Sequence, residues 1–473
     1  MDRKESKEQE FKYLAQEFKK NPELFARETH VHTPEFLEKI GISFPDHIRK
    51  NIFNGYLKLW PQDFIVEEVL KDNTIQTVAM AEFSKKETDP EDAPTLYTTL
   101  VKCGLSTIEA VEEISSALGI DKQKIQYAGI KDKDALTSQL ISFRGVDKNK
   151  VENLKSPYYF LKDAFLGKGG VEKGGLKGNK FTILVRTNES FKKEKFLENL
   201  EGVKREGFLN FFYSQRFGSP RFINWFWGLL ILKGEYEKAI MSFLCSEGQK
   251  ETQYFKNLRK EIKKHFGDWQ KISDLIKPFP IILQVETKVI NHLKNNPTDF
   301  IGALNQISEQ MELWIYAYSS MLFNRKISQY LQEGKLLPQK LPIIPSLDKN
   351  DWAIYEDFLK EDSIITMPFE NLKPFKSIQW KKREILTREK IEIHDIKIIP
   401  EGAIINFTLP KGCYATSFLS NLFQIAFGMP PNDISSTIIN TKVLLGQENI
   451  QATLEKFKPI AFAKTENLFE KFD

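Results

Sequence analysis

The chain has 473 residues, 41% hydrophobic and 28% charged, which suits a soluble globular protein of two or three domains at about 150 residues each. Lys plus Arg number 68 and Asp plus Glu 64, so the net charge of +4 is too small to mark a nucleic-acid binder by itself, although a local basic groove stays open. The three cysteines, Cys103, Cys245 and Cys413, lie far apart with no CxxC or Cys/His spacing, so neither a zinc site nor a disulfide framework is expected. The start, MDRKESKEQE, lacks the apolar stretch of a signal peptide, and no apolar run reaches the roughly 18 residues of a membrane span. A cytoplasmic protein is the expectation.

Residues 1–50 read as a charged helical extension, with Phe11, Leu14, Phe18, Leu24 and Phe25 at roughly helical intervals. His30 and His32 form the only close His pair; with no third ligand nearby they read as surface residues. In GYLKLWPQDFIVEEV, Pro61 ends what precedes it, and Phe64, Val66 and Glu68 fall on one face of a strand by the two-residue period. A carboxylate in line with apolar neighbours needs an Arg, Lys or backbone donor. A strand around Leu96–Val101 precedes a helix with a capping box, Ser106 to Glu109, a buried face of Ile108, Val111, Ile114 and Leu118, and a stop at Gly119.

Two β-type runs, Lys124–Ala128 and Thr137–Phe143, flank the polar turn Gly129–Asp134. Such a corner holds one carboxylate well, although a plain solvated turn is the commoner meaning. In an extended segment Lys131 and Asp132 point to opposite sides. The glycines of 145–180 match neither a P-loop nor a dinucleotide fingerprint, and FTILVR, ending at Arg186, is a strand. From Trp225 to about Glu392 the pattern is helical and basic. In Leu313–Leu331 the Trp314, Tyr318, Met321 and Leu322 spacing is helix core. The stretch Phe369–Arg383, with Lys373, Lys376, Lys381 and Lys382 among Phe375 and Trp380, is the best candidate for a basic-aromatic RNA surface. Gly402–Leu422 reads as strand, turn and helix, with Thr416 as N-cap.

Several of these segments together carry a resemblance. YAGIKDKDALTSQ is similar to the signature GxKDxxAxTxQ of the TruD-type pseudouridine synthases through Gly129, Lys131, Asp132, Ala135, Thr137 and Gln139. Lys58, Pro61, Asp63, Phe64, Val66 and Glu68 resemble the family's first catalytic strand, and Gly178–Arg186 its GNxFxIxxR element. NFFYSQRFG resembles NYFGxQRFG, with Phe211 for Tyr and Tyr213 for Gly. Ser320, Leu322, Phe323 and Asn324 match the family's QSxLFN helix. LPKGCYATSFLSNL resembles the closing LPxGxYATxxLRE, with Ser420-Asn421 where the family has Arg-Glu.

The resemblance implies an α+β pseudouridine synthase fold with a mixed, mostly antiparallel sheet and an inserted helical TRUD domain. It places the catalytic domain at 51–224 and 396–473, the insertion at 225–395, and RNA in the cleft between them. It implies isomerisation of uridine to pseudouridine in RNA, uridine 13 of a tRNA being the family's usual bacterial target, with Asp132 catalytic. Lys58, Phe64, Glu68, Lys131, Asn210, Phe212, Gln215 and Arg216 would bind substrate, Lys58 as ion-pair partner of Asp132 and Phe212 against the uracil. No cofactor and no metal are expected, the partner is RNA, first of all tRNA, and no obligate protein partner or membrane is implied for what reads as a monomer. Two other classes stay open: an RNA-binding protein of this fold without catalysis, to which the departures at Tyr213 and Ser420 would belong, and a metal-dependent phosphoryl enzyme using Asp132 and Asp134.

Overall fold

The structure, a computed structural model, describes residues 3–26, 28–49, 52–81, 94–364, 367–380 and 382–461. The fold is α+β, and the chain forms two compact units: the described parts of 51–208 with 389–464, and of 1–50 with 209–388.

The first unit is built on a mixed sheet. By pairing, its strands run from Phe423–Gly428 through Phe53–Tyr56, Leu176–Arg186, Phe64–Leu70, Leu136–Arg144 and Thr95–Lys102 to Tyr159–Gly167. Gly402–Pro410 pairs with Leu176–Arg186 and carries Glu392–Ile399, and the short Ile125–Tyr127 pairs with Leu136–Arg144. Two pairings are parallel, Phe423–Gly428 with Phe53–Tyr56 and Phe64–Leu70 with Leu136–Arg144; the others are antiparallel. The parallel pair brings the starts of Phe64–Leu70 and Leu136–Arg144 together, with Val66 opposite Thr137, and the antiparallel pair sets Lys102 opposite the same Thr137. Residues before Phe64, the end of Thr95–Lys102 and the 129–135 turn therefore meet at one end of the sheet.

Alternation sends successive side chains to opposite faces. Leu96, Leu100, Ile141 and Phe143 pack under Ala110, Val111 and Ile114 of the Thr107–Leu118 helix. On the other face Ile65, Val101 and Leu136 pack with Ile450 and Phe457. The capping box is made as expected, Glu109 N donating to Ser106 Oγ at 3.2 Å and Ser106 N to Glu109 Oε2 at 2.9 Å, and Gly119 closes the helix at φ 63°. Ile108, expected in the core, is instead 45% exposed. Thr107 takes the inward position, because its hydroxyl donates to Gln139 in the sheet. Thr416 is likewise not a cap: it is buried inside the Ala415–Leu419 helix, and Tyr414 precedes the first turn.

The second unit is helical around Ser308–Gln332, which buries Trp314, Tyr318, Met321, Leu322, Phe323 and Asn324. The extension belongs to this unit. Its Arg3–Lys20 helix sets Tyr13 edge-on to Phe279, and Glu10 Oε2 accepts from Ile281 N and Ile282 N at 2.8 and 3.1 Å. His32, expected at the surface, is buried. Its ring stacks on Phe36, because the polar nitrogens find partners inside. No helix among the described residues is long and apolar enough to cross a membrane.

Candidate active site

Asp132 lies in the turn between Ile125–Tyr127 and Leu136–Arg144, its side chain 45% exposed and its Oδ2 3.4 Å from Lys58 Nζ. Lys58 stands between the buried Leu57 and Leu59 with φ at 59°, a left-handed conformation that costs a residue with a Cβ roughly 1–2 kcal/mol. Its ammonium lies 4.3 Å from the centroid of the Phe64 ring, so a cation–π contact and the Asp132 carboxylate hold it from two sides. Phe64 is buried and touches Phe181 edge-on, placing it as the floor under Lys58.

What holds the segment before Phe64 is a buried pair. Arg186 Nε and Nη2 donate to the two carboxylate oxygens of Asp63 at 2.8 and 2.9 Å, while Nη1 and Nη2 donate to the carbonyls of Ser435 and Thr437. Asp63 also accepts from Trp60 N. A fork-to-carboxylate pair with its remaining donors satisfied fixes geometry as well as charge.

Behind the turn Lys131 points the other way. Its Nζ is 2.7 Å from Glu68 Oε2, with both side chains buried, and Glu68 Oε1 accepts from Leu140 N at 3.2 Å. Glu68 thus has both a lysine and a backbone donor, as a carboxylate in line with Phe64 and Val66 requires. The turn is tied further by Lys131 N donating to Thr107 Oγ1 and Gln139 Nε2 to the Gly129 carbonyl, each at 2.9 Å.

A residue without a sequence signal completes this corner. Lys102 is fully buried, and its Nζ donates to the carbonyls of Leu105 at 2.8 Å and of Asp132 itself at 2.7 Å, with that of Lys131 at 3.4 Å. Burial pushes its pKa down to about 8, against the pull of the Asp132 carboxylate. An ammonium offers three protons to three carbonyls; a neutral amine offers two and a lone pair. Because the folded pKa lies below the unfolded value of roughly 10.4, the unfolded chain binds more protons between these values. Lys102's contribution to stability therefore rises with pH across that window, while the clamp on Asp132 loses its third proton. Any rate that depends on the placing of the Asp132 carboxylate is expected to fall as pH rises through about 8, and the fall should be missing from Lys102→Met. A pH–rate profile of both proteins checks this, and an identical alkaline limb in the two would contradict it.

The second unit holds the other predicted residues. Asn210 Nδ2 and N donate to the carbonyls of Leu386 and Thr387, each at 3.0 Å, so this side chain holds its own loop. Phe212 is 9% exposed, edge-on to Phe323, with Arg216 Cζ 5.1 Å from its ring centroid. Gln215 is exposed. Asn324, one of the residues of the QSxLFN-like helix, clamps Phe212 at both ends: its Oδ1 accepts from Phe212 N at 2.9 Å and its Nδ2 donates to Phe212 O at 2.8 Å. Gly218 ends the loop at φ 80°, where an added Cβ would lie 2.4 Å from the Asn224 amide.

Tyr213 has φ −97° and ψ −175°, extended backbone that any residue adopts, so the backbone conformation here does not call for glycine. Ser420 is buried and closes the Ala415–Leu419 helix by donating to the Ser417 carbonyl at 2.9 Å.

In the basic stretch, Phe375 is core, Lys373 pairs with Glu370 and Lys382 with Asp348, whereas Arg383 lies over the Tyr316 ring at 5.1 Å. Lys381 lies outside the described residues.

Comparison with known proteins gives the class. Residues 48–342 match the family described as tRNA pseudouridine synthase D (TruD), and the chain belongs to that family. It is therefore an isomerase, a tRNA pseudouridine synthase of the TruD type acting on RNA. Among its relatives, the probable tRNA pseudouridine synthase D of Methanococcus vannielii is 29% identical over 385 residues, covering 78% of this chain and 95% of that one. The tRNA pseudouridine synthase D of Aquifex aeolicus is 26% identical over 409 residues, covering 81% and 96%. The crystal structure of the putative tRNA pseudouridine synthase D of Methanosarcina mazei, 23% identical, superposes with a TM-score of 0.61 over 83% of this chain and 98% of that one, a likeness of fold.

Proposed function

We propose that this enzyme converts uridine 13 of tRNA to pseudouridine, with Asp132 as the catalytic carboxylate and without a cofactor. The observation that carries the reading is the half-exposed Asp132 carboxylate, 3.4 Å from Lys58 Nζ on a corner tied down from behind by Lys102 and Lys131. The N1–C1′ bond breaks, the uracil turns, C5 bonds to C1′, and the proton on C5 leaves as N1 gains one. Asp132 either adds to the sugar or removes a sugar proton; both need one positioned carboxylate. Lys58 orients it. The base must first leave its stack, at a cost of a few kcal/mol, which Phe212 offsets by stacking on the uracil while Arg216 and the other basic residues bind phosphate.

On this reading 51–224 with 396–473 carry the chemistry, 225–395 are an insertion that helps grip the RNA, and the enzyme works as a cytoplasmic monomer. The binding-only alternative loses support, since Tyr213 and Ser420 both fit their places without strain. An unmodified tRNA transcript and its U13→C counterpart, incubated in EDTA and mapped for pseudouridine, test the target. Product at position 13 of the first transcript alone is expected. Product elsewhere in both would overturn the assignment, and dependence on added metal would revive the phosphoryl-type chemistry of Asp132 and Asp134.

A further inference from the structure

Between its first helix and residue 44 the extension runs against the loop that carries Phe212. Tyr213 Oη lies 3.0 Å from His32 Nδ1, and Lys250 Nζ lies 3.2 Å from His32 Nε2. An ammonium has no lone pair, so Nε2 accepts; Nδ1 then carries the proton and donates it to the Tyr213 oxygen. Burial, with Lys250 and His30 beside it, holds the imidazole neutral, which this arrangement requires. The ring is fixed from other sides by stacking on Phe36 at 4.4 Å and by an edge contact with Phe222. A second tie lies nearby. The Asn324 amide that clamps Phe212 donates also to the Ile40 carbonyl at 2.9 Å. Just beyond, Ser43 N donates to Ser328 Oγ, and Ser328 Oγ to the Gly41 carbonyl, each at 2.9 Å, holding the extension along the same helix.

We propose that residues 29–44 are a positioning strap for the Asn210–Gly218 loop, with His32 acting through Tyr213 and the Ile40 carbonyl through Asn324. Neither residue touches the uracil in this scheme; one holds the Tyr213 side chain next to Phe212, the other the amide that clamps the Phe212 backbone. The inference rests on the function proposed above. Tyr213 is then the partner that replaces a glycine of the motif it resembles, and the extension is part of base recognition.

The test compares wild type, Tyr213→Phe, His32→Leu, the double variant and His32→Gln, all folded at the assay temperature by thermal melts. Two readouts are taken: hydrogen exchange of the 209–218 segment and the single-turnover rate on saturating tRNA transcript. Tyr213→Phe and His32→Leu should each exchange this segment faster and react about tenfold more slowly, with tRNA affinity unchanged. The double variant should be no worse than either single one, because both cut the same link. His32→Gln should restore most of the rate, since its amide can donate to Tyr213 and accept from Lys250. Unchanged exchange would overturn the strap. Faster exchange with a wild-type rate would reduce it to packing, and additive losses would sever His32 from Tyr213. Wild type that makes no pseudouridine would defeat the proposed function and the catalytic half of this inference, while the exchange data would still decide the strap.

Discussion

Asp132→Asn is expected to lower the single-turnover rate of pseudouridine formation by about 10³-fold or more, at unchanged tRNA affinity. The substitution keeps the size and shape of the side chain and removes the charge. The folded corner should survive it, because Lys102 binds the Asp132 carbonyl rather than its carboxylate. Among the described residues the ion pair lost is that with Lys58 at 3.4 Å, and a pair with one member 45% exposed contributes little, about 0–1 kcal/mol. Rate and melting temperature should therefore separate, the first collapsing and the second nearly constant. Rapid-quench assays beside thermal melts check this; a rate within tenfold of wild type would mean the carboxylate is not the reacting group.

The largest effect on stability should come from Lys131→Met. Lys131 and Glu68 are 5% and 0% exposed at 2.7 Å, so losing the ammonium leaves a buried carboxylate held by the hydrogen bond from Leu140 N. Breaking such a pair from one side costs about 3–5 kcal/mol, whereas replacing both members by apolar groups is often close to neutral. Urea unfolding should thus find Lys131→Met much less stable than Lys131→Met/Glu68→Leu, apart from about 1–3 kcal/mol for the orphaned Leu140 N–H in the double variant. A single variant as stable as wild type would show that water reaches Glu68, and the corner would not be the rigid platform described.

Much of the Asp132 corner was legible because its parts are local in sequence. The capping box, the Gly119 stop, the strand at Phe64–Leu70 and the turn holding Asp132 follow from periodicity and polar punctuation over a few residues. The need of Glu68 for a donor followed from its place in an apolar row. What stayed hidden depends on long-range register. Lys102 ends an ordinary strand, and only its pairing opposite Thr137 carries its ammonium to the Asp132 carbonyl. Ile108 was misplaced for a related reason: helical spacing gives a face, but which residue turns inward was decided by a partner elsewhere, Gln139 for the neighbouring Thr107. His32 read as a surface residue because its partners, Tyr213 and Lys250, lie 181 and 218 positions away.

The most direct test uses a tRNA transcript labelled with tritium at C5 of its uridines. Bond formation from C5 to C1′ must expel that hydrogen, so release into water counts the isomerisation itself rather than binding. Wild type in EDTA should release one equivalent per tRNA and Asp132→Asn none above background, although both bind the RNA. Equal release by the two proteins would contradict the assignment of the carboxylate, and release by neither, with RNA bound, would contradict the proposed isomerisation of this tRNA.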